Sequence, residues 1–122
     1  MRNLLIVGFG CFLGAVARYG VNVAMARLWA APFPLGTFLI NVSGSFALGL
    51  VASAAAERLG LGPSWRLLLG TGVLGAYTTF STFELETNRL VETGALAWAA
   101  ANVVASVGMG FLAVRLGAMV GR

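Results

Sequence analysis

The sequence predicts an all-α membrane protein of four transmembrane helices, the third of them interrupted. Three observations carry that prediction. Of 122 residues, 59% are hydrophobic and only 10% are charged, against roughly 25% charged in an ordinary soluble domain. Residues 3–17, 28–56, 67–83 and 93–114 carry no charge, and a spanning helix needs about 20 mostly apolar residues. The separators between these stretches are short, and no half is duplicated, so residues 1–122 read as a single four-helix transmembrane domain.

The composition also excludes whole classes of function. A chain this apolar cannot cover a globule with polar surface, which removes soluble enzymes and soluble binding modules. The sequence has no Asp, no Lys and no His, so the usual general bases, catalytic triads and zinc sites are missing. No enzyme chemistry is expected. The net charge of +4 comes from singly scattered arginines, which makes a poor nucleic-acid surface. Cys11 stands alone in an apolar run and allows no internal disulfide.

The first helix is placed at about 4–26, the apolar character resuming after Arg18 as far as Ala26. A signal-peptide reading would use Met1-Arg2 as the charged start and Ala24-Met25-Ala26 as the cleavage site. Arg18 and three glycines inside the apolar core speak against it. Ala31-Pro32-Phe33-Pro34 cannot continue a helix, so the second helix runs at about 35–56. A polar turn over Glu57–Ser64 leads to the third, at about 66–91, and Gly94 breaks the chain before the fourth, at about 94–116. Such short connections predict successive helices as antiparallel neighbours. Gly10-xxx-Gly14, Ser45-xxx-Gly49-xxx-Ser53 and Gly117-xxx-Gly121 have the small-residue spacing that lets membrane helices pack backbone to backbone.

Polar groups inside these spans mark where function should sit. Thr37 and Asn41 are four apart on the second helix, and Gly44-Ser45 continues that face. An Asn amide at that depth serves either an interhelical hydrogen bond, worth about 1 kcal/mol, or a ligand, and its type alone does not choose. The third helix reads Gly75-Ala-Tyr-Thr-Thr-Phe-Ser-Thr-Phe83. Four hydroxyl residues in five positions compete with helical hydrogen bonds, and Gly72 and Gly75 weaken the helix further. An interruption near Gly75–Thr79 follows, which membranes tolerate where the freed backbone lines a site. Phe80 and Phe83 then share a face, for which lipid or packing contact is the ordinary explanation. Asn102 and Ser106 are four apart on the fourth helix, before Gly110. Arg18 sits near enough to the end of the first helix to snorkel; it could instead neutralise a carboxylate or make an inner vestibule positive. Hydroxyls, amides, aromatic edges and an arginine attract an anion, and Glu86 is nearly alone in opposing it. The residues therefore predict an anion path.

At this point the motifs resemble a family. Gly75 through Phe83, with Glu86, is similar to the TTFSTF signature of the small prokaryotic fluoride channels, the Fluc or CrcB family. Gly14-Ala-Val-Ala-Arg18-Tyr19, and Gly36-Thr37 through Asn41 to Gly44, resemble its first- and second-helix motifs in the same order. The resemblance covers essentially the whole chain. Gly10-Cys11 and Gly75-Ala76 stand where the family often has paired glycines, and Asn102 where a tyrosine is common.

The resemblance implies a passive, fluoride-selective channel in a prokaryotic cell (inner) membrane that exports cytoplasmic fluoride and confers fluoride resistance. It implies an antiparallel, dual-topology homodimer with two pores and a structural sodium ion (Na+) between the third-helix breaks. By position, the sodium ligands are the backbone carbonyls of Gly75 and Thr78 from both chains. The phenylalanine pair matches Phe80 and Phe83, the pore asparagine Asn41, and the polar track Ser81, Thr82 and Ser106, while Arg18 and Glu86 fall on motif positions. Thr37 and Asn102 complete the polar lining that the residues themselves suggest.

Fluoride holds water strongly, so such a pore must offer strong donors and the positive edges of aromatic rings. Neutral HF enters a cell, ionises, and the trapped anion leaves; 100 mV acting on one charge is worth about 2.3 kcal/mol. The competing reading is a small four-helix proton-coupled multidrug exporter, which needs a carboxylate in the first helix. All four Glu lie at 57, 84, 86 and 92. An accessory subunit of a larger complex would need neither a broken helix nor a polar track.

Charge does not by itself select the inverted arrangement. Arg2, Arg58, Arg66, Arg115 and Arg122 fall on one side of a four-span chain and Arg27 and Arg89 on the other, a bias that favours termini in the cytoplasm. Only an inverted pair, however, brings two third-helix breaks face to face at the midplane.

Overall fold

The computed structural model describes residues 1–57, 60 and 62–122; of the expected Glu57–Ser64 turn, Arg58, Leu59 and Leu61 lie outside the described residues. All regular structure among the described residues is helical. The first helix, α1, is Arg2–Leu28 and the second, α2, is Leu35–Glu57. The expected third span is composite. Residues 63–77 form α3, whose middle, Leu67–Leu74, is π-helical, and Phe80–Glu92 forms α4. The last helix, α5, is Leu96–Gly121.

Arg2–Leu28, Leu35–Ala54 and Leu96–Gly121 are each long and apolar enough to cross a membrane. At 1.5 Å per residue, α1 alone reaches about 40 Å, more than the ~30 Å hydrocarbon core. The residues behave accordingly. Leu4, Phe9, Phe12, Val104 and Phe111 point outward, while among the described residues the buried apolar set is Ile40, Phe83, Leu90, Ala99 and Ala113.

Local chemistry explains the boundaries. Pro32 and Pro34 separate α1 from α2, and the Trp29 Nε1 donates to the Phe33 carbonyl across the bend at 2.9 Å. Pro63 opens α3 at its first helical position, where its missing N–H costs nothing, so the third span begins earlier than the expected 66. At the end of α4, Gly94 adopts φ 77°, a left-handed conformation that glycine tolerates. Its amide donates to Val91 and that of Ala95 to Leu90, which satisfies the carbonyls left over at the helix end.

Packing departs from the neighbour-to-neighbour expectation. The tightest pairings are α1 with α3 and α2 with α5, so first and third spans, and second and fourth, pair in parallel. Glycine is the reason. A Cβ on Gly10 would stand 2.6 Å from the Leu68 carbonyl oxygen, and one on Gly14 would run into that of Val73. On the other pair, a Cβ on Gly49 would strike the Val114 carbonyl and one on Gly117 that of Phe46. Lipid offers helices no hydrophobic reason to associate, so backbone contact decides which helices pair.

Candidate functional site

The third span breaks at two residues. Thr78 (φ −76°, ψ 155°) and Thr79 (φ −151°, ψ 116°) are extended between α3 and α4, inside the expected 75–79 window. Two side chains take over the backbone bonds that helix would have made there. The Thr79 N–H, which in a helix would bond the Gly75 carbonyl, donates instead to Asn41 Oδ1 at 2.8 Å. Asn41 Nδ2 returns a bond to the Thr79 carbonyl at 3.0 Å. The Thr82 N–H, which would have bonded Thr78, donates to Thr79 Oγ1 at 3.3 Å and so caps α4. The Gly75 and Thr78 carbonyls are thereby released from helical partners. Gly44 lets α2 approach this break, since a Cβ there would overlap the Thr78 methyl.

Against the break lies an open pocket of about 300 Å³, lined by Asn41, Ser45, Thr78, Thr79, Phe80, Phe83 and Ser106 together with Leu48 and Val107. No charged side chain contributes to that lining. The phenyl rings of Phe80 and Phe83 are 5.6 Å apart between centroids and tilted by 45°, within the range in which ring edges meet ring faces. They are unequal, because Phe83 is 5% exposed and Phe80 is 73% exposed. Asn41 uses one amide proton on Thr79 and keeps the other, since an amide nitrogen carries two.

A second pocket, of about 230 Å³, lies one turn away along α2. Thr37 and Glu86 meet there, the Thr37 hydroxyl donating to Glu86 Oε1 at 3.0 Å, while Oε2 is buried without a hydrogen-bond partner. Asn22, Trp29 and Gly36 are among the other residues of its wall. Because α2 and α4 run antiparallel, the two pockets follow one another along a single seam.

The sequence comparison decides the family. Residues 5–118 match the family described as CrcB-like protein, Camphor Resistance (CrcB). The chain belongs to the CrcB family. Its relatives include a fluoride-specific ion channel FluC of Methylobacterium sp. (strain 4-46), 52% identical over 93% of this chain and 91% of that one. A FluC of Roseiflexus sp. (strain RS-1) is 43% identical over 98% of this chain and 97% of its own length. The FluC 1 of Listeria monocytogenes serovar 1/2a is 52% identical over 72% of this chain and 70% of its own.

In this CrcB-family chain the predicted residues divide into groups. Asn41, Phe80, Phe83 and Ser106 meet in the first pocket with Thr78, whereas Thr37 joins Glu86 in the second. Ser81 is exposed on the first turn of α4, and Thr82 is half-buried beneath Thr79. Neither lines the pockets. Asn102, 1% exposed, sits behind Ser106 rather than in the pocket wall. Arg18 is half-buried one turn beyond Gly14 and lines neither pocket. Gly75 is exposed at the break.

Two residues escaped the sequence reading. Thr79, seen only as one hydroxyl in a cluster, is the one that Asn41 clamps. Thr87 accepts the Asn102 amide at 2.8 Å, and its only signal was a position four residues after Phe83.

Proposed function

We propose that this chain is a passive, fluoride-selective channel that exports cytoplasmic fluoride across a prokaryotic inner membrane. The observation that carries the reading is the first pocket: an uncharged hollow at a broken helix, lined by an amide and hydroxyls and walled by two phenyl rings. Its relatives' shared name, fluoride-specific ion channel, supplies the ion. Fluoride surrenders its water only to comparably strong donors. The spare Asn41 proton is such a donor, and the Phe80 and Phe83 edges add positive potential without a counter-charge that would trap the ion. The Thr37–Glu86 pocket extends the same seam and serves as the approach to this constriction. Arg18 raises the local concentration of anions.

The working unit is an antiparallel homodimer with two pores. Two features support it. A helix break is not left open to lipid within the hydrocarbon region, and Gly75 and Phe80, the helical residues on either side of Thr78–Thr79, are exposed on the single chain. A second, inverted copy laid over the break covers both. The Gly75 and Thr78 carbonyls, relieved of helical amides, suit a hard cation, and half-helix ends commonly hold sodium. Four such oxygens, two from each chain, would hold a structural sodium ion that ties the protomers together. Fluoride passes beside it.

Purified protein in liposomes loaded with fluoride tests the proposal. A fluoride electrode should record rapid efflux once a potassium ionophore clamps the voltage, with chloride retained. Efflux of chloride at a similar rate, or none of fluoride, overturns it.

A further inference from the structure

Behind the first pocket runs a chain of side-chain hydrogen bonds that the pocket itself does not contain. Ser106 Oγ donates to Asn102 Oδ1 at 3.1 Å, Asn102 Nδ2 donates to Thr87 Oγ1 at 2.8 Å, and Thr87 Oγ1 donates to the Phe83 carbonyl at 2.8 Å. Every proton in this chain points away from the pocket. Ser106 therefore turns oxygen lone pairs toward the hollow, which is the wrong polarity for an anion.

The same heavy atoms support the opposite polarity. An amide turned by half a revolution exchanges its oxygen and nitrogen, which occupy nearly the same volume and bond with opposite sense. Thr87 Oγ1 then donates to Asn102 Oδ1, Asn102 Nδ2 donates to Ser106 Oγ, and the Ser106 hydroxyl proton is released into the pocket. The Phe83 carbonyl loses the Thr87 hydroxyl but, as an interior helical carbonyl, keeps its backbone amide. No buried group is orphaned in either state. Donors aligned in series polarise one another, so the reversed chain offers a stronger proton than a lone serine does.

We infer that Thr87–Asn102–Ser106 is a reversible hydrogen-bond relay, and that an anion in the pocket selects the state in which Ser106 donates to it. Asn102 and Thr87 are then positioning residues: neither lines the pocket, and both act through the serine. The inference rests on the channel reading above and adds to it a device for switching one donor on.

The test measures fluoride efflux from liposomes for the wild type, Ser106→Ala, Thr87→Val, Thr87→Ser and Asn102→Leu, and for Thr87→Val and Asn102→Leu each combined with Ser106→Ala. A hydrogen bond to a charged partner is worth enough that Ser106→Ala should slow efflux by roughly tenfold or more. Thr87→Val, which keeps shape but cannot start the reversed chain, should slow it to a similar degree, and Thr87→Ser should restore it. In the Ser106→Ala background neither second substitution should slow it further. Asn102→Leu keeps the relay testable should Thr87→Val not fold, as judged by gel filtration. Wild-type-like efflux from Thr87→Val or Ser106→Ala, or effects that multiply in the double variants, overturns the relay while leaving the channel standing. A wild type that moves no fluoride overturns the channel reading itself.

Discussion

Asn41 and Thr79 hold each other at both ends: the asparagine amide donates to the Thr79 carbonyl at 3.0 Å and accepts from the Thr79 N–H at 2.8 Å. One side chain on α2 thus replaces the helical acceptor of the Thr79 N–H and adds a second donor to the Thr79 carbonyl. The break is therefore a fixed bonding arrangement and not a loose segment. Asn41 lines the same pocket as Phe80 and Phe83, so the residue that fixes the break is also the proposed pore donor.

Asn41→Asp should remove both functions at once. A carboxylate still accepts from the Thr79 N–H, but it sets an oxygen against the Thr79 carbonyl where the amide had donated, and it places negative charge in the hollow. Fluoride efflux should cease. Losing that hydrogen bond and opposing two oxygens costs about 1–3 kcal/mol, so the melting temperature in detergent should fall too. Normal efflux would place the ion path elsewhere.

Replacing Phe80 and Phe83 together with Ile keeps much of the bulk but removes the positive ring edges, and efflux should stop. The single variants should differ in stability. Phe83→Ala empties a buried site and should cost about 3–5 kcal/mol, whereas Phe80→Ala should leave the melting temperature of a single folded chain nearly unchanged. Differential scanning fluorimetry beside the efflux assay reads both.

The glycine contacts predict a sharp contrast along one helix. Gly14→Ala drives a methyl into the Val73 carbonyl and should cost about 1–3 kcal/mol through overpacking. Gly8→Ala meets nothing within 4 Å and should be neutral or slightly stabilising by helix propensity. Equal melting temperatures for the two variants would contradict the α1–α3 packing.

Sodium removal should weaken assembly and leave each chain's helices in place. Exchange into a sodium-free buffer with a large organic cation should shift the protein from dimer toward monomer on gel filtration, with the helical circular dichroism retained. A dimer indifferent to sodium would remove the ion from the proposal.

Orientation can be read with a single thiol. Gly62→Cys in a Cys11→Ala background, labelled from outside intact cells by an impermeant reagent, should react in about half of the copies if insertion is dual. Labelling confined to all copies or to none would establish a single orientation, as the arginine bias alone favours.

Much of this protein was legible before folding. Uncharged stretches located the spans because lipid accepts little else, and the crowding of hydroxyls after Gly75 announced a break because such side chains compete for backbone bonds. Gly10, Gly14, Gly49 and Gly117 announced close packing. None of them named its partner. That choice depends on which carbonyl surface a bare Cα can approach, and it went to alternate spans because Leu68 and Val73 face α1 while Val114 faces α2. Likewise, Thr37 and Asn41 share one face of α2, yet they face different residues, Glu86 and Thr79, because α4 starts afresh below the break. The sequence by itself determined the solvent of this protein, its spans and the position of its broken helix, since these follow from composition and local bonding. Tertiary structure alone decided that Asn41 seals the break, that Asn102 stands behind Ser106 and that Phe80 is left uncovered, since each of these depends on contacts between residues far apart in the chain.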